Sequence, residues 1–187
     1  MTVQVIDGRR VDDPRGWFME VYHEARFRDL GITCRFVQDN HSKSLHRFTL
    51  RGLHFQAPLH AQDKLVRCVR GEIFDVAVDI RNGSPTYGRW TGTRLSEAAG
   101  NQLFVPAGFA HGFLTLTPDC EIAYKCSEGY APACEGGLSW NDPALGIAWP
   151  LPAGVAPLLS ERDAGQPRLA DLDSPFSYDG RPLRPVR

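Results

Sequence analysis

The sequence has no excess charge of either sign. Its 21 Lys and Arg residues stand against 22 Asp and Glu residues, for a formal net charge of −1 over 187 residues. That balance removes the electrostatic case for a nucleic-acid or anionic-membrane partner, since attraction to either needs a field of one sign. A local anion site built from a few arginines is unaffected by it. No apolar run approaches the roughly 20 residues needed to span a bilayer. The opening "MTVQVIDGRR" lacks the apolar core of a secretory signal, so a cytoplasmic location is the default expectation. Cysteine is scarce and unpatterned: Cys34, Cys68, Cys120, Cys126 and Cys134 are scattered, odd in number and form no CxxC pair. That spacing argues against a zinc knuckle or a disulfide framework and leaves reduced thiols, mostly in packing roles. Repeats, low-complexity tracts and linkers are missing as well. Residues 1–187 therefore read as one domain with a sizeable core, and 166–187, rich in Pro, Asp and Arg, as a C-terminal surface tail.

What is abundant is punctuation. Eighteen glycines and 14 prolines separate short apolar runs. The clearest run is "EIFDVAVDIR", where Phe74, Val76, Val78 and Ile80 alternate with Asp75, Ala77 and Asp79, the period of a strand. "GWFMEVYH", "CRFVQDN", "FTLRGLHFQ", "KLVRCVRG", "GRWTGTRLS", "NQLFVP", "HGFLTLT" and "EIAYKC" read the same way, with "RNGSPTYG", "PAG" and "TPDC" as turns between them. Many short strands with turn signals predict an all-β sandwich or barrel. Only "HEARFRDLG", with glycine at the C-cap position, and "LLSERDAG" look helical.

Strand phase places polar groups among apolar ones. His54 and Gln56 point to one side of "LHFQ", Leu53 and Phe55 to the other. Arg51 has the wrong parity to join His54, but Gly52 lies between them, and a bulge there would bring both to one side. Lys64 shares a face with Val66 and Cys68, His111 with Phe113 and Thr115, and Tyr124 with Ile122 and Cys126. Singly, each has a plainer reading as a hydrogen-bonded core histidine, a packing tyrosine or an edge lysine. Together, four strands that each turn a polar group inward describe a ligand pocket, because unpaired buried polar groups are costly.

"PAGFAHGF" (106–113) has the P-x-G-x-x-H form of the second motif of cupin barrels. A metal-binding cupin also needs an H-x-H pair. His54 is followed by Phe55 and Gln56, and His60 stands beyond a proline-containing turn, so the usual metal set is not present.

Taken in order, "DPRGWFMEVYHEARF", "FVQDNHSKS", "LRGLHFQAPLHAQDKLVR", "GEIFDVAVDIRNGSPTYGRW", "FVPAGFAHGF", "YKCSEGYAPACEGGLSWNDP", "IAWP" and "LLSERD" resemble the dTDP-4-dehydrorhamnose 3,5-epimerases. The resemblance runs from about Val3 to Pro167. It implies a cupin-type jelly-roll β-barrel with a few short peripheral helices, commonly a homodimer that exchanges N-terminal strands. It implies no metal and no organic cofactor. The implied reaction inverts carbons 3 and 5 of dTDP-4-dehydro-6-deoxyglucose, giving dTDP-4-dehydro-L-rhamnose.

By motif match, the resemblance makes His54 the base, Asp163 its orienting carboxylate, Tyr124 the proton donor from the opposite face and Lys64 the cation at the enolate oxygen. Tyr130 would stack on thymine. Arg15, Glu20, Gln38, Asp39, Asn40, Arg51, His111, Glu135 and Arg162 would contact substrate. The chemistry needs such types. Removing a proton α to a ketone requires a base poised near neutrality. A carboxylate behind it fixes the imidazole tautomer, a preorganised cation meets the enolate, and a phenol with a reference pKa of about 10 still carries its proton at pH 7. The sequence departs from the family pattern at Gly129, where a second tyrosine is common, and in "LSEAAGNQLFVP". Neither departure removes a catalytic position. Three other readings remain: a single-carbon epimerase of a related sugar, a metal-dependent cupin enzyme, and a non-catalytic sugar-nucleotide binder.

Overall fold

The computed structural model describes residues 2–184 and 186. The strands are β1 (Gln4–Ile6), β2 (Arg10–Asp13), β3 (Gly16–Met19), β4 (Gln38–Ser44), β5 (Leu50–Gln56), β6 (Lys64–Arg70), β7 (Glu72–Asp79), β8 (Trp90–Ser96), β9 (Gln102–Val105), β10 (Phe109–Thr115), β11 (Cys120–Cys126) and β12 (Glu135–Gly137). Two short helices, α1 (Glu24–Asp29) and α2 (Glu161–Ala164), and two single 3-10 turns complete them. Sheet I has the order β1-β9-β6-β11-β4, sheet II the order β12-β5-β10-β7-β8, and β2 and β3 form a two-stranded hairpin.

The structure corrects the expectation of an all-β, closed cupin-type jelly-roll barrel. The chain is mixed in secondary structure, and its antiparallel sheets are open. Among the described residues no ladder joins sheet I to sheet II: β1, β4, β8 and β12 each pair with a single neighbour. A barrel closes only when its edge strands exchange backbone hydrogen bonds. Alternation along a strand reports which face is buried and carries no information about what its edge meets.

The sheets are instead held together by side chains. Val66, Cys68, Leu103, Val105 and Ile122 of sheet I meet Ile73, Ala77, Leu95, Phe109 and Phe113 of sheet II in one buried cluster. The outer face of sheet I is covered by α1, whose Phe27 packs with Leu65 and Phe104. Gly31, at φ +82, closes that helix as the sequence pattern predicts.

The outer face of sheet II is covered by the C-terminal third. Leu53, Phe55, Val76, Val78 and Ile80 pack there against Leu138, Leu145 and Phe176. The apolar stripe of "EIFDVAVDIR" thus points away from the inter-sheet space, and its acidic stripe, with Asp75 and Asp79 both fully buried, points into the molecule. The segment 166–187 sends Phe176 into the outer cluster and Leu183 into the inter-sheet cluster. Arg81, 3% exposed, ties that segment to β7 by donating to both carboxylate oxygens of Asp79 and to Asp179 Oδ1 at 2.6 Å.

Candidate active site

The bulge in β5 places the site. His111 of β10 pairs with His54, but Phe113 pairs with Arg51, so two steps on one strand oppose three on the other. Gly52 occupies the irregularity at φ +115, and a Cβ there would lie 2.6 Å from both Gly112 Cα and His111 O. Only glycine fits that conformation and approach. Arg51 and His54 consequently line the same cavity of about 510 Å³, as the phase argument required.

The cavity lies between the sheets, and its two walls carry different chemistry. From sheet II come Arg51, His54 and His111; from sheet I come Lys64 and Tyr124. His54 Nε2 is 2.5 Å from Asp163 Oδ1 on α2. Asp163 is 5% exposed. Burial pushes its carboxyl up, but the hydrogen bond and charge of His54, the Ser160 hydroxyl and the Gly52 backbone N–H outweigh it, so the net shift is downward. Asp163 is an anion at neutral pH, oriented on the imidazole.

Across the cavity, burial pushes the Lys64 ammonium below its ordinary range, opposed by Cys126, Glu135 and Asp75. Burial also raises the Tyr124 phenol, with Cys126 adding to the effect and Arg51 opposing it. Among the described residues neither Lys64 Nζ nor Tyr124 Oη has a hydrogen-bond or ion-pair partner. Two half-buried polar groups thus line the sheet I wall beside Val66 and Ser42.

His111 has its own carboxylate, with Nε2 2.5 Å from Asp75 Oδ1. Asp75 is fully buried, and its Oδ2 has no hydrogen-bond partner among the described residues. The sequence reading missed this pair. Its only local signal was an acid at the inward phase of β7.

A second compartment of about 250 Å³ shares His54, Lys64 and Tyr124 with the first and adds Gln38, Asn40, Tyr130 and Glu135. Gln38 Nε2 donates to Asn40 Oδ1 at 3.0 Å, and its own Oε1 accepts from the Tyr130 N–H at 2.9 Å. Glu135 Oε2 accepts from Tyr130 Oη and Arg162 Nη1, both at 2.7 Å. Burial would raise the Glu135 carboxyl, but these bonds and the His54 charge hold it below the usual range. Gln56, also missed as a site residue, braces the same loop: its Nε2 donates to His60 O at 2.7 Å and its Oε1 accepts from Ala131 N–H at 2.9 Å. Its shared parity with His54 was the signal that could have found it.

Three expected contacts are not brought here. Arg15 pairs with Asp13 at 2.6 Å on the β2–β3 hairpin, and Glu20 pairs with Arg26 at 2.6 Å. Asp39 pairs with Lys125 at 2.8 Å, away from His54. Alternation explains Asp39: it faces opposite to Gln38 and Asn40 on β4. Among the described residues no group of three His, Cys, Asp or Glu side chains is arranged to hold a metal ion.

The chain as a whole is similar to known proteins. A family model described as dTDP-4-dehydrorhamnose 3,5-epimerase matches residues 2–171. The dTDP-4-dehydrorhamnose 3,5-epimerase of Sinorhizobium fredii is 51% identical over 176 residues, covering 94% of this chain and 89% of that protein. A dTDP-4-dehydrorhamnose 3-epimerase from Streptomyces niveus is 43% identical over 160 residues, 85% of this chain and 75% of the relative. The crystal structure of dTDP-6-deoxy-D-glucose-3,5-epimerase from Legionella pneumophila, in complex with dTDP-4-keto-L-rhamnose, superposes with a TM-score of 0.88 at 44% identity, covering 94% of this chain and 93% of that one.

Proposed function

This chain belongs to the dTDP-4-dehydrorhamnose 3,5-epimerase family and is an isomerase of dTDP-linked 4-keto sugars, and we propose how its cleft performs that chemistry. The reaction converts dTDP-4-dehydro-6-deoxyglucose to dTDP-4-dehydro-L-rhamnose. One observation carries the reading: a carboxylate-backed imidazole on the sheet II wall shares the cavity with a phenol and an ammonium on the sheet I wall that have no hydrogen-bond partner among the described residues. Inversion at a carbon needs removal of a proton from one face and return of a proton to the other. A binding module needs no such opposition.

With Nε2 engaged by Asp163, Nδ1 is the ring nitrogen left to take the proton α to the ketone. The C–H electron pair moves into the enolate, whose oxygen meets Lys64, an ammonium with no ion-pair partner within contact distance among the described residues. Tyr124 then delivers its proton from the opposite wall, and solvent restores both groups. Arg51 is the guanidinium for the diphosphate, since its planar fork matches phosphate oxygens. The second compartment, with Tyr130 half-exposed at its rim, takes the thymine. Repeating abstraction and return at carbons 3 and 5 gives the double inversion.

The assembly belongs to the same proposal. Val11 and Phe18, paired across the β2–β3 hairpin, are 58% and 72% exposed, and Arg15 and Glu20 stand on or beside it, outside the cleft. A second copy that accepts this hairpin would cover the apolar pair and bring those charges to a cleft. Multi-angle light scattering on the wild type and on Phe18→Asp tests it: a dimer that becomes a monomer supports the reading, and a wild-type monomer refutes it.

Proton NMR in D₂O with dTDP-4-dehydro-6-deoxyglucose tests the reaction. Deuterium entering at both carbons is the expected result. Entry at one carbon would assign a single-carbon epimerase, the activity named for the Streptomyces niveus relative.

A further inference from the structure

Asp163 steadies the imidazole, yet it sits on a helix of four residues. One turn cannot hold itself in water, because nucleation fixes several residues for a single hydrogen bond. Its hold comes from its flanks. Leu158 N–H donates to Phe48 O at 2.8 Å and Leu158 O accepts from Leu50 N–H at 2.9 Å, stitching the approach to the start of β5. Ser160 then caps the turn with extended backbone, and its Oγ accepts the N–H of Asp163 at 3.1 Å. The residue whose N–H is capped is the one whose carboxylate grips His54. Arg162, on the same turn, is tied to Glu135 at 2.7 Å.

We propose that Ser160 is a positioning residue for the His54–Asp163 pair: its hydroxyl fixes the turn that aims the Asp163 carboxylate at the imidazole, and it exchanges no proton with substrate. The inference rests on the reading of His54 as base. Ser160 also borders the 510 Å³ cavity, so a direct substrate contact is the competing role. The two roles differ in their consequences. A cap works through the Asp163 carboxylate that it aims, requires only a hydroxyl or carboxylate oxygen at position 160, and itself makes no contact with substrate.

The test uses steady-state kinetics of Ser160→Ala, Ser160→Thr, Asp163→Asn, the Ser160→Ala/Asp163→Asn double variant and His54→Ala, with melting curves for each. Loss of a cap corresponds to roughly a 5- to 10-fold change. The expected result is a kcat fall of about that size in Ser160→Ala with KM within about twofold. Ser160→Thr should recover kcat, and Ser160→Ala should add nothing in the Asp163→Asn background. Unchanged kcat in Ser160→Ala, a rise confined to KM, or an undiminished effect in the Asp163→Asn background would each overturn the proposal. Normal turnover by His54→Ala would instead overturn the reading of the site itself, so the two failures are told apart.

Discussion

His54 and His111 are direct cross-strand partners between β5 and β10, and each holds its own carboxylate at 2.5 Å, Asp163 for the first and Asp75 for the second. The two pairs differ in access. The His54 side chain is 27% exposed and its carboxylate arrives on a helix from beyond the sheet; the His111 side chain is 10% exposed and its carboxylate is fully buried within β7. A base must reach its substrate and exchange its proton with solvent, which favours His54. The enclosed pair suits a fixed donor on the wall.

His54→Ala removes the base while leaving Arg51, Lys64 and the second compartment in place. Turnover should fall by at least about 100-fold, the low end of what general-base catalysis contributes. Binding of dTDP, followed by isothermal titration calorimetry, should persist. Near-normal turnover would remove His54 from the role.

Tyr124→Phe keeps the ring and deletes the phenolic proton. The base side can still remove a proton and return a deuteron from solvent to the same face. In D₂O the substrate should therefore take up deuterium while epimer formation drops by about 100-fold or more. Normal inversion in that variant would assign the acid elsewhere.

Gly52→Ala tests the bulge. The new methyl would sit 2.6 Å from Gly112 Cα and His111 O, on a residue at φ +115. Strain and overpacking together should destabilise the fold by about 2–4 kcal/mol, measured by denaturant unfolding. An unchanged midpoint would show that the bulge relaxes freely.

Asp79→Asn tests the anchor of the C-terminal segment. Burial raises the Asp79 carboxyl, but the Arg81 guanidinium, the Ser84 and Thr86 hydroxyls and the Arg81 N–H outweigh it, so its folded value lies below the unfolded one. A depressed carboxyl contributes stability that is complete above the unfolded value of about 3.9 and is lost as pH falls through the folded value. Breaking the buried pair with Arg81 should cost about 3–5 kcal/mol at pH 7. The gap in melting temperature from wild type should narrow below about pH 4. A gap independent of pH would contradict the ion-pair account.

Which residues share a strand face, the inward set His54, Lys64, His111 and Tyr124, and the bulge at Gly52 were legible in the sequence, because side-chain alternation is a local property of extended backbone. Lys64 beside Val66 and Cys68, and Tyr124 beside Ile122 and Cys126, needed nothing more than counting. The motif set gave the family for the same reason: its residues stand in order along the chain. Strand limits were less legible. β4 runs through "QDNHSKS" rather than "CRFVQDN", since pairing with β11 along its full length, and not apolar content, makes it a strand.

Only the tertiary structure decided the rest, and in each case the deciding partner is distant in sequence. Asp163 reaches His54 across 109 positions, and Asp75 reaches His111 across 36. The fold alone determined that the acidic face of "EIFDVAVDIR" turns inward, since the C-terminal third covers the apolar one. It also determined that the sheets stay open and that Arg15 and Glu20 lie outside the cleft. Local chemistry fixes which way a side chain points along its own strand. What it meets there depends on which segments pack together, and burial free energy summed over the whole chain selects that.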